Sequence, residues 1–186
     1  MGRFVFSDAS ERKLEGVHDD LVEVARRAIE ITEMDFGIVA GLRDMQEQLR
    51  YVAQGASHTI YSMHLIGHAV DVMPYCMGRY QNTWPFYFPV ADAFQTASQE
   101  LSIDIHWGGA WSTDMTRFRT SQEAQMAYIM AKNAMWESKK TKQRRKLFLD
   151  GPHFELNRHH YRPDFTAFQN DGDEDDQLEF DPLESA

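Results

Sequence analysis

The stretch Ser62-Met63-His64-Leu65-Ile66-Gly67-His68-Ala69-Val70-Asp71 decides both the fold and the chemistry of this chain. It places an imidazole, His64, and a carboxylate, Asp71, seven positions apart. A second motif, Asp150-Gly151-Pro152-His153, adds another imidazole with a carboxylate three positions before it. Two histidines and one aspartate form a three-ligand shell for a zinc ion that keeps its fourth position open. The pattern therefore favours metal-assisted hydrolysis, with Asp150 left over as a base.

The local sequence around the first motif supports this interpretation. Gly67 allows a close backbone approach, and residues 68–73 alternate as a strand does, closed by Pro74. On that strand a buried Asp71 needs a partner, which a zinc ion would provide. A single histidine on a strand is more often structural or exposed, so the residues alone leave both the metal site and a structural role open.

Composition limits the class of protein. A chain of 186 residues, 42% hydrophobic, predicts one domain with a substantial core. Cys76 is the only cysteine, so no internal disulfide is expected and folding in a reducing cytosol is favoured. No apolar stretch approaches the roughly 20 residues of a membrane span. The first eight residues do not form a secretory signal, so we expect synthesis in the cytoplasm and release by other means.

Apolar periodicity outlines the secondary structure. It predicts a helix over residues 8–33 with Ser10 as its N-cap, and an irregular aromatic segment over 75–88, broken by Gly78 and Pro85. Further helices are predicted at 45–54, 90–101 and 121–142, and short strands at 36–40, 68–73, 103–107 and 154–156.

Both motifs together resemble a known family. The pattern Ser62-x-His64-x-x-Gly67-x-Ala69-x-Asp71, followed by Asp150-x-x-His153-Phe154-Glu155, is similar to the zinc D-alanyl-D-alanine peptidases. It is closer still to their phage endolysin branch, which cleaves the L-alanyl-D-glutamate bond of peptidoglycan. The resemblance covers roughly residues 8–160, and it includes Gly41-Leu42-Arg43, Gln48, Gly55-Ala56-Ser57 and His106-Trp107-Gly108-Gly109-Ala110-Trp111.

This resemblance implies a fold and a metal site. The fold is α+β, of the Hedgehog and D-Ala-D-Ala peptidase type: a small, mostly antiparallel sheet with surrounding helices and Zn²⁺ on its open face. Carried over position by position, the zinc ligands are His64, Asp71 and His153. Asp150 is then the general base, a role that suits a carboxylate beside a metal-activated water.

Three further residues acquire roles through the resemblance. Arg43 would face the substrate carbonyl or the developing oxyanion, which suits an arginine donor. Ser57 and Ser62 would hydrogen-bond the substrate or orient the ligands. The alternatives are a surface cation for Arg43 and ordinary turn-forming serines in a loop.

The implied function is that of a phage endolysin, a zinc-dependent peptidase acting on the peptidoglycan stem peptide after its release from the cytoplasm, and we expect a monomer. One alternative is a D,D-carboxypeptidase that removes terminal D-alanine. Another is a non-catalytic, zinc-stabilised protein that binds the cell wall. Asp150 argues against the second, because a purely structural metal site has no need of a base.

The chain departs from its resemblance after Trp111. Nearly forty residues separate Trp111 from Asp150, which predicts an inserted basic helix at about 113–148 within a peptidase domain of residues 1–165. Its basic cluster suggests contact with an anionic envelope; a nucleic-acid patch and a solvated helix end are the alternatives, although we expect no dedicated nucleic-acid partner. The cluster comprises Lys139, Lys140, Lys142, Arg144, Arg145 and Lys146.

The last segment, residues 166–186, has a different composition. From Asp171 to Glu184 it carries eight acidic residues and no basic ones. High charge with few apolar residues predicts a disordered tail.

Overall fold

The computed structural model describes residues 3–138 and 147–169, in which five α-helices surround one five-stranded sheet. This arrangement confirms the predicted α+β class. The helices are α1 Asp8–Lys13, α2 Asp19–Ile31, α3 Met45–Ala53, α4 Trp84–Leu101 and α5 Ser121–Ser138. The strands are β1 Phe36–Ala40, β2 Ala69–Cys76, β3 Arg79–Tyr80, β4 Ile105–Trp107 and β5 His153–Leu156, and 3-10 turns occupy Met63–Ile66, Met115–Arg117 and Thr166–Phe168.

The sheet has the order β1-β2-β5-β4, and β3 pairs with the far end of β2. All of these pairings are antiparallel. Strand β5 lies between β2 and β4, and all four of its residues are buried. In the register of β2 with β5, Asp71 is the direct partner of His153. Residues far apart in the chain are therefore neighbours on the sheet.

One face of the sheet supports the core. Val70 and Val72 of β2 are fully buried, and Phe94 of α4 stacks on Phe154 of β5 at a centroid distance of 4.0 Å. Helix α2 packs against α4 on the same side. Because successive strand residues point to opposite faces, Asp71 and His153 lie on the other face. Burial of one face thus directs the candidate ligands to the other.

The prediction of one helix over residues 8–33 is wrong. Helix α1 ends at Lys13, Gly16 has a φ of +78°, and α2 begins at Asp19 after the N-cap His18. The apolar periodicity continues through the break because both helices bury side chains in the same core. The α1 N-cap is Ser7 rather than Ser10.

Two prolines were also misassigned. Pro74 does not close β2, which continues to Cys76 and pairs with β3. Helix α4 begins at Trp84, six residues before its predicted start, and Pro85 lies in its first turn. A proline is tolerated there because the first N–H groups of a helix have no intrahelical acceptor.

The insertion is described only in part. Helix α5 runs to Ser138, and the six basic residues assigned to an envelope contact lie outside the described residues, as do residues 170–186 of the predicted tail. Among the described helices, none combines the length and apolar character that a membrane crossing requires.

Candidate active site

The short turn Met63–Ile66 carries His64 and sets the position of its backbone. Ser62 caps this turn through its hydroxyl, which accepts from the His64 backbone N–H, and Gly67 ends it at a φ of +69°. A Cβ on Gly67 would lie 2.2 Å from the Gly16 carbonyl oxygen. The close backbone approach expected at Gly67 is therefore present, between the turn and the α1–α2 connection.

The orientation of the His64 ring follows from its contact with Gly41. His64 Nδ1 lies 2.8 Å from the Gly41 carbonyl oxygen. A carbonyl oxygen only accepts, so Nδ1 carries the proton, and in the neutral ring Nε2 carries a lone pair. His64 is 2% exposed, and Nε2 points toward the carboxylate of Asp71.

Asp71 lies at the centre of the cluster. Its Oδ1 is 3.3 Å from His64 Nε2 and 3.1 Å from His153 Nδ1, and its Oδ2 is 3.4 Å from an Arg43 amine. Burial opposes the charged form, but the neighbouring His64 and His153 hold the pKa of Asp71 well below its usual range. Asp71 is therefore ionised, as a metal ligand would need to be.

These three residues form a possible metal-binding triad, because one donor atom of each lies within 4.8 Å of the others. The chemistry of the donors fits a cation. His64 Nε2 is buried with no hydrogen-bond partner among the described residues, and its lone pair faces a carboxylate oxygen. Two electron-rich atoms that face each other in a buried site repel unless a positive charge lies between them.

Glu155 and Arg158 support His153 from behind. His153 Nε2 lies 3.0 Å from Glu155 Oε2, and Arg158 donates two hydrogen bonds to the same carboxylate, at 2.8 and 3.0 Å. Although burial opposes ionisation of Glu155, the bonds from His153 and Arg158 lower its pKa to about 2. Glu155 is thus an acceptor, so Nε2 carries the proton and Nδ1 faces the triad.

His153 strongly favours positive charge in the absence of a metal. Burial alone lowers its pKa, but the hydrogen bonds to Asp71 and Glu155 raise the pKa of His153 to about 10. The same two carboxylates that retain a proton here would also attract a metal cation in its place.

Asp150 is half-buried and lies just before β5. Its backbone is fixed by a hydrogen bond from its N–H to the Gly108 carbonyl. Burial raises the pKa of Asp150, and Asp71 raises it further, while His153, His64 and Arg43 lower it. The net increase makes this carboxylate a better proton acceptor than one in water.

Arg43 is buried rather than exposed on the surface, and it is 8% exposed. Its guanidinium donates to Gln48 Oε1 at 2.7 Å and to Asp71 Oδ2 at 3.4 Å, and it lies 4.2 Å from the centre of the Tyr51 ring. Its backbone N–H donates to the His64 carbonyl. The structure thus places Arg43 beside the candidate triad, and its role toward the substrate stays a prediction.

The two predicted serines make contacts within the protein. Ser62 caps the His64 turn, and Ser57 accepts a hydrogen bond from Gln48 at 2.9 Å and donates to the Thr59 carbonyl at 3.0 Å. These contacts favour the orienting alternative over direct binding of substrate.

Sequence reasoning gave no role to an aromatic wall beside His153. The Trp111 ring lies 5.3 Å from the His153 ring and stacks on Phe148, which in turn contacts His58 at 4.6 Å. Trp111 belongs to a segment that matched the family pattern, but Phe148 and His58 gave no local signal, because the contact joins distant segments.

Comparison with known proteins places this site in a family. Residues 1–131 match the family described as phage L-alanyl-D-glutamate peptidase. The L-alanyl-D-glutamate peptidase of Escherichia phage T5 is 35% identical over 113 residues, which are 59% of this chain and 82% of that protein. The crystal structure of Serratia marcescens L-Ala D-Glu endopeptidase ChiX is similar with a TM-score of 0.61 and 33% identity, over 86% of this chain and 95% of that one.

The chain belongs to the phage L-alanyl-D-glutamate peptidase family. The resemblance inferred from the motifs is thereby confirmed. The family match includes His64 and Asp71 and ends before His153. It is the pairing of β2 with β5 that brings His153 to the other two residues.

Proposed function

We propose that this protein is a zinc-dependent endolysin that hydrolyses the L-alanyl-D-glutamate bond of the peptidoglycan stem peptide. The observation that carries the proposal is the convergence of His64, Asp71 and His153 around a buried, unpaired imidazole nitrogen. Family membership supports the choice of bond, since both named relatives are L-alanyl-D-glutamate peptidases.

The proposed metal is zinc, held by His64 Nε2, His153 Nδ1 and a carboxylate oxygen of Asp71. Two imidazoles and one carboxylate are the ligand set of many catalytic zinc sites. When bound, zinc would supply Lewis acidity that lowers the pKa of a water ligand to about 7 and polarises the substrate carbonyl.

In the proposed mechanism the protein moves protons and stabilises charge. Asp150 accepts a proton from the attacking water and delivers it to the leaving amine of D-glutamate. Arg43 donates hydrogen bonds to the oxyanion that develops on the L-alanyl carbonyl. Ser62 orients His64 through its cap, and Ser57 holds the loop beside Arg43 or contacts the substrate.

The proposal extends to the organisation of the chain. A single peptidase domain over residues 1–165, carrying an insertion at about 113–148, is supported by the one sheet and one core that the described residues form. The proposed setting is phage lysis, with action on the cell wall.

Digestion of purified peptidoglycan with and without a chelator, followed by mass spectrometry, tests the proposal. We expect chelator-sensitive release of fragments cut between L-alanine and D-glutamate, restored by added Zn²⁺. Loss of terminal D-alanine alone would show a D,D-carboxypeptidase instead. Wall binding without cleavage would favour the non-catalytic alternative.

A further inference from the structure

Gln48 is a polar side chain with no exposed surface, in the middle of the amphipathic helix α3. Its amide makes three hydrogen bonds. Oε1 accepts from Arg43 at 2.7 Å, and Nε2 donates to Ser57 Oγ at 2.9 Å and to the Thr59 carbonyl at 2.6 Å. Loss of any one of these three hydrogen bonds would leave a buried polar atom unpaired and would destabilise the folded protein.

Arg43 is thereby fixed on several sides. Gln48 holds one amine of the guanidinium, Asp71 holds the other, and the Tyr51 ring covers one flat face. A guanidinium has five N–H groups in a rigid plane, so two anchoring bonds and a stacked ring define the direction of the remaining groups.

We propose that Gln48 is a positioning residue, which fixes the Arg43 guanidinium at the metal site and connects it to the loop that contains Ser57 and Thr59. The inference rests on the proposed function, in particular on the role of Arg43 toward the oxyanion. Gln48 acts through Arg43 and does not itself touch substrate.

The chemistry of an amide suits this role. A carboxylate at position 48 would also accept from Arg43, but it would neutralise the charge that the oxyanion needs and would face the Thr59 carbonyl with an acceptor. The neutral amide oxygen orients Arg43 without neutralising its positive charge, and the amide nitrogen donates to the loop. A displacement of about 1 Å at a catalytic group costs on the order of 100-fold in rate.

The test is a double-mutant cycle between Gln48→Met and Arg43→Ala, assayed on a soluble stem peptide after the wild-type protein has shown chelator-sensitive cleavage. For Gln48→Met we expect kcat to fall roughly 10- to 100-fold, while KM changes less than about threefold and zinc content stays at the wild-type level. In the Arg43→Ala background the same substitution is expected to change kcat less than about twofold. Gln46→Met, an exposed glutamine on the same helix, is the matched control and should match the wild type.

Several results would overturn the inference. The first is a folded Gln48→Met protein whose kcat equals that of the wild type. The second is a loss of kcat from Gln48→Met that is equally large in the wild-type and Arg43→Ala backgrounds. Where Gln48→Met does not fold, Ser57→Ala replaces it in the cycle, since it removes one end of the same chain of hydrogen bonds. A Ser57→Ala loss that persists without Arg43 would mean that the chain of hydrogen bonds does not act through Arg43, and it would contradict the inference. Failure of the proposed function is seen separately, as a wild-type protein that does not cleave.

Discussion

The Asp71 carboxylate contacts two imidazoles and a guanidinium at once, and these three contacts determine the charge of the site. An ionised carboxylate in a partly buried position needs compensating charge. His153 and Arg43 provide part of it, whereas a neutral His64 ring turns the lone pair of its Nε2 toward the same carboxylate. A divalent cation would supply the remaining positive charge. His64 Nε2 and the Asp71 carboxylate would then both bind the cation instead of repelling each other.

The substitution Asp150→Asn tests whether Asp150 acts as the general base or as a metal ligand. An amide cannot accept the proton of the attacking water, so we expect kcat to fall by roughly 10²- to 10⁴-fold. Zinc content, measured by atomic absorption, should stay at the wild-type level. Asp19→Asn, at an exposed position of α2, is the control for a lost carboxylate. Loss of zinc from Asp150→Asn would instead make Asp150 a ligand and contradict the assignment.

Glu155→Gln tests the support behind His153. The substitution removes a charged acceptor from the His153 Nε2 proton and from two N–H groups of Arg158. Loss of such a support typically weakens metal affinity by about 10- to 100-fold. Competition with a fluorescent zinc chelator measures this change. Glu100→Gln, which breaks an exposed ion pair with Arg27, should leave zinc affinity unchanged; an unchanged affinity in Glu155→Gln as well would reject the role.

The candidate ligands could be predicted from sequence because their spacing is tied to their chemistry. His64 and Asp71 belong to one motif, and Asp150 and His153 belong to another. Each motif therefore predicted its own candidate residues from a short stretch of sequence. The supporting contacts could not be predicted in this way. The partners of Gln48, and the approach of Phe148 to Trp111, depend on how loops from different parts of the chain meet.

The candidate metal site depends on how one short element, the His64 turn, packs against the α1–α2 connection. Gly67 has a φ of +69°, and a Cβ there would lie 2.2 Å from the Gly16 carbonyl oxygen. The His18 backbone N–H also donates to the Gly67 carbonyl at 2.8 Å. The first two helices thus fix the position of the turn that presents His64.

Gly67→Ala measures this packing, with Gly55→Ala as its matched control. Both glycines have a positive φ, +69° and +71°, but a Cβ at Gly55 meets no atom within 4 Å. Gly55→Ala therefore carries only backbone strain, about 1 kcal/mol. Gly67→Ala carries in addition a backbone clash, for which we expect a further loss of about 1 to 3 kcal/mol. Urea unfolding gives both values, and equal losses would show that the contact with Gly16 is unimportant.

Elements were predicted well where periodicity and burial agree, and poorly where a break is hidden by continuous burial. Strand β1 was placed correctly, because its five residues lie between clear turn signals. The division between α1 and α2 was missed, since Leu14, Val17 and Leu21 are all buried and maintain the apolar pattern across it. Pro85 was taken for a breaker, although the first turn of α4 accommodates it.

The candidate metal site is assembled from distant parts of the chain, so it depends on the fold of the whole molecule. Strand β2 supplies Asp71, the preceding turn supplies His64, and β5, more than eighty residues later, supplies His153. Only the folded sheet brings the three together, since their spacing in an unfolded chain gives no preformed site. Metal binding and folding are therefore expected to be coupled.

Thermal unfolding with and without Zn²⁺ tests this coupling. A ligand that binds only the folded state at 100 times its dissociation constant stabilises that state by about 2.7 kcal/mol. For a chain of 186 residues this corresponds to a Tm increase of roughly 5 to 10 °C, which a chelator should reverse. Asp71→Asn removes the central ligand, and its Tm should not respond to Zn²⁺. If Asp71→Asn gains as much as the wild type, the stabilising ion is bound elsewhere, and the assignment of the triad as the metal site is wrong.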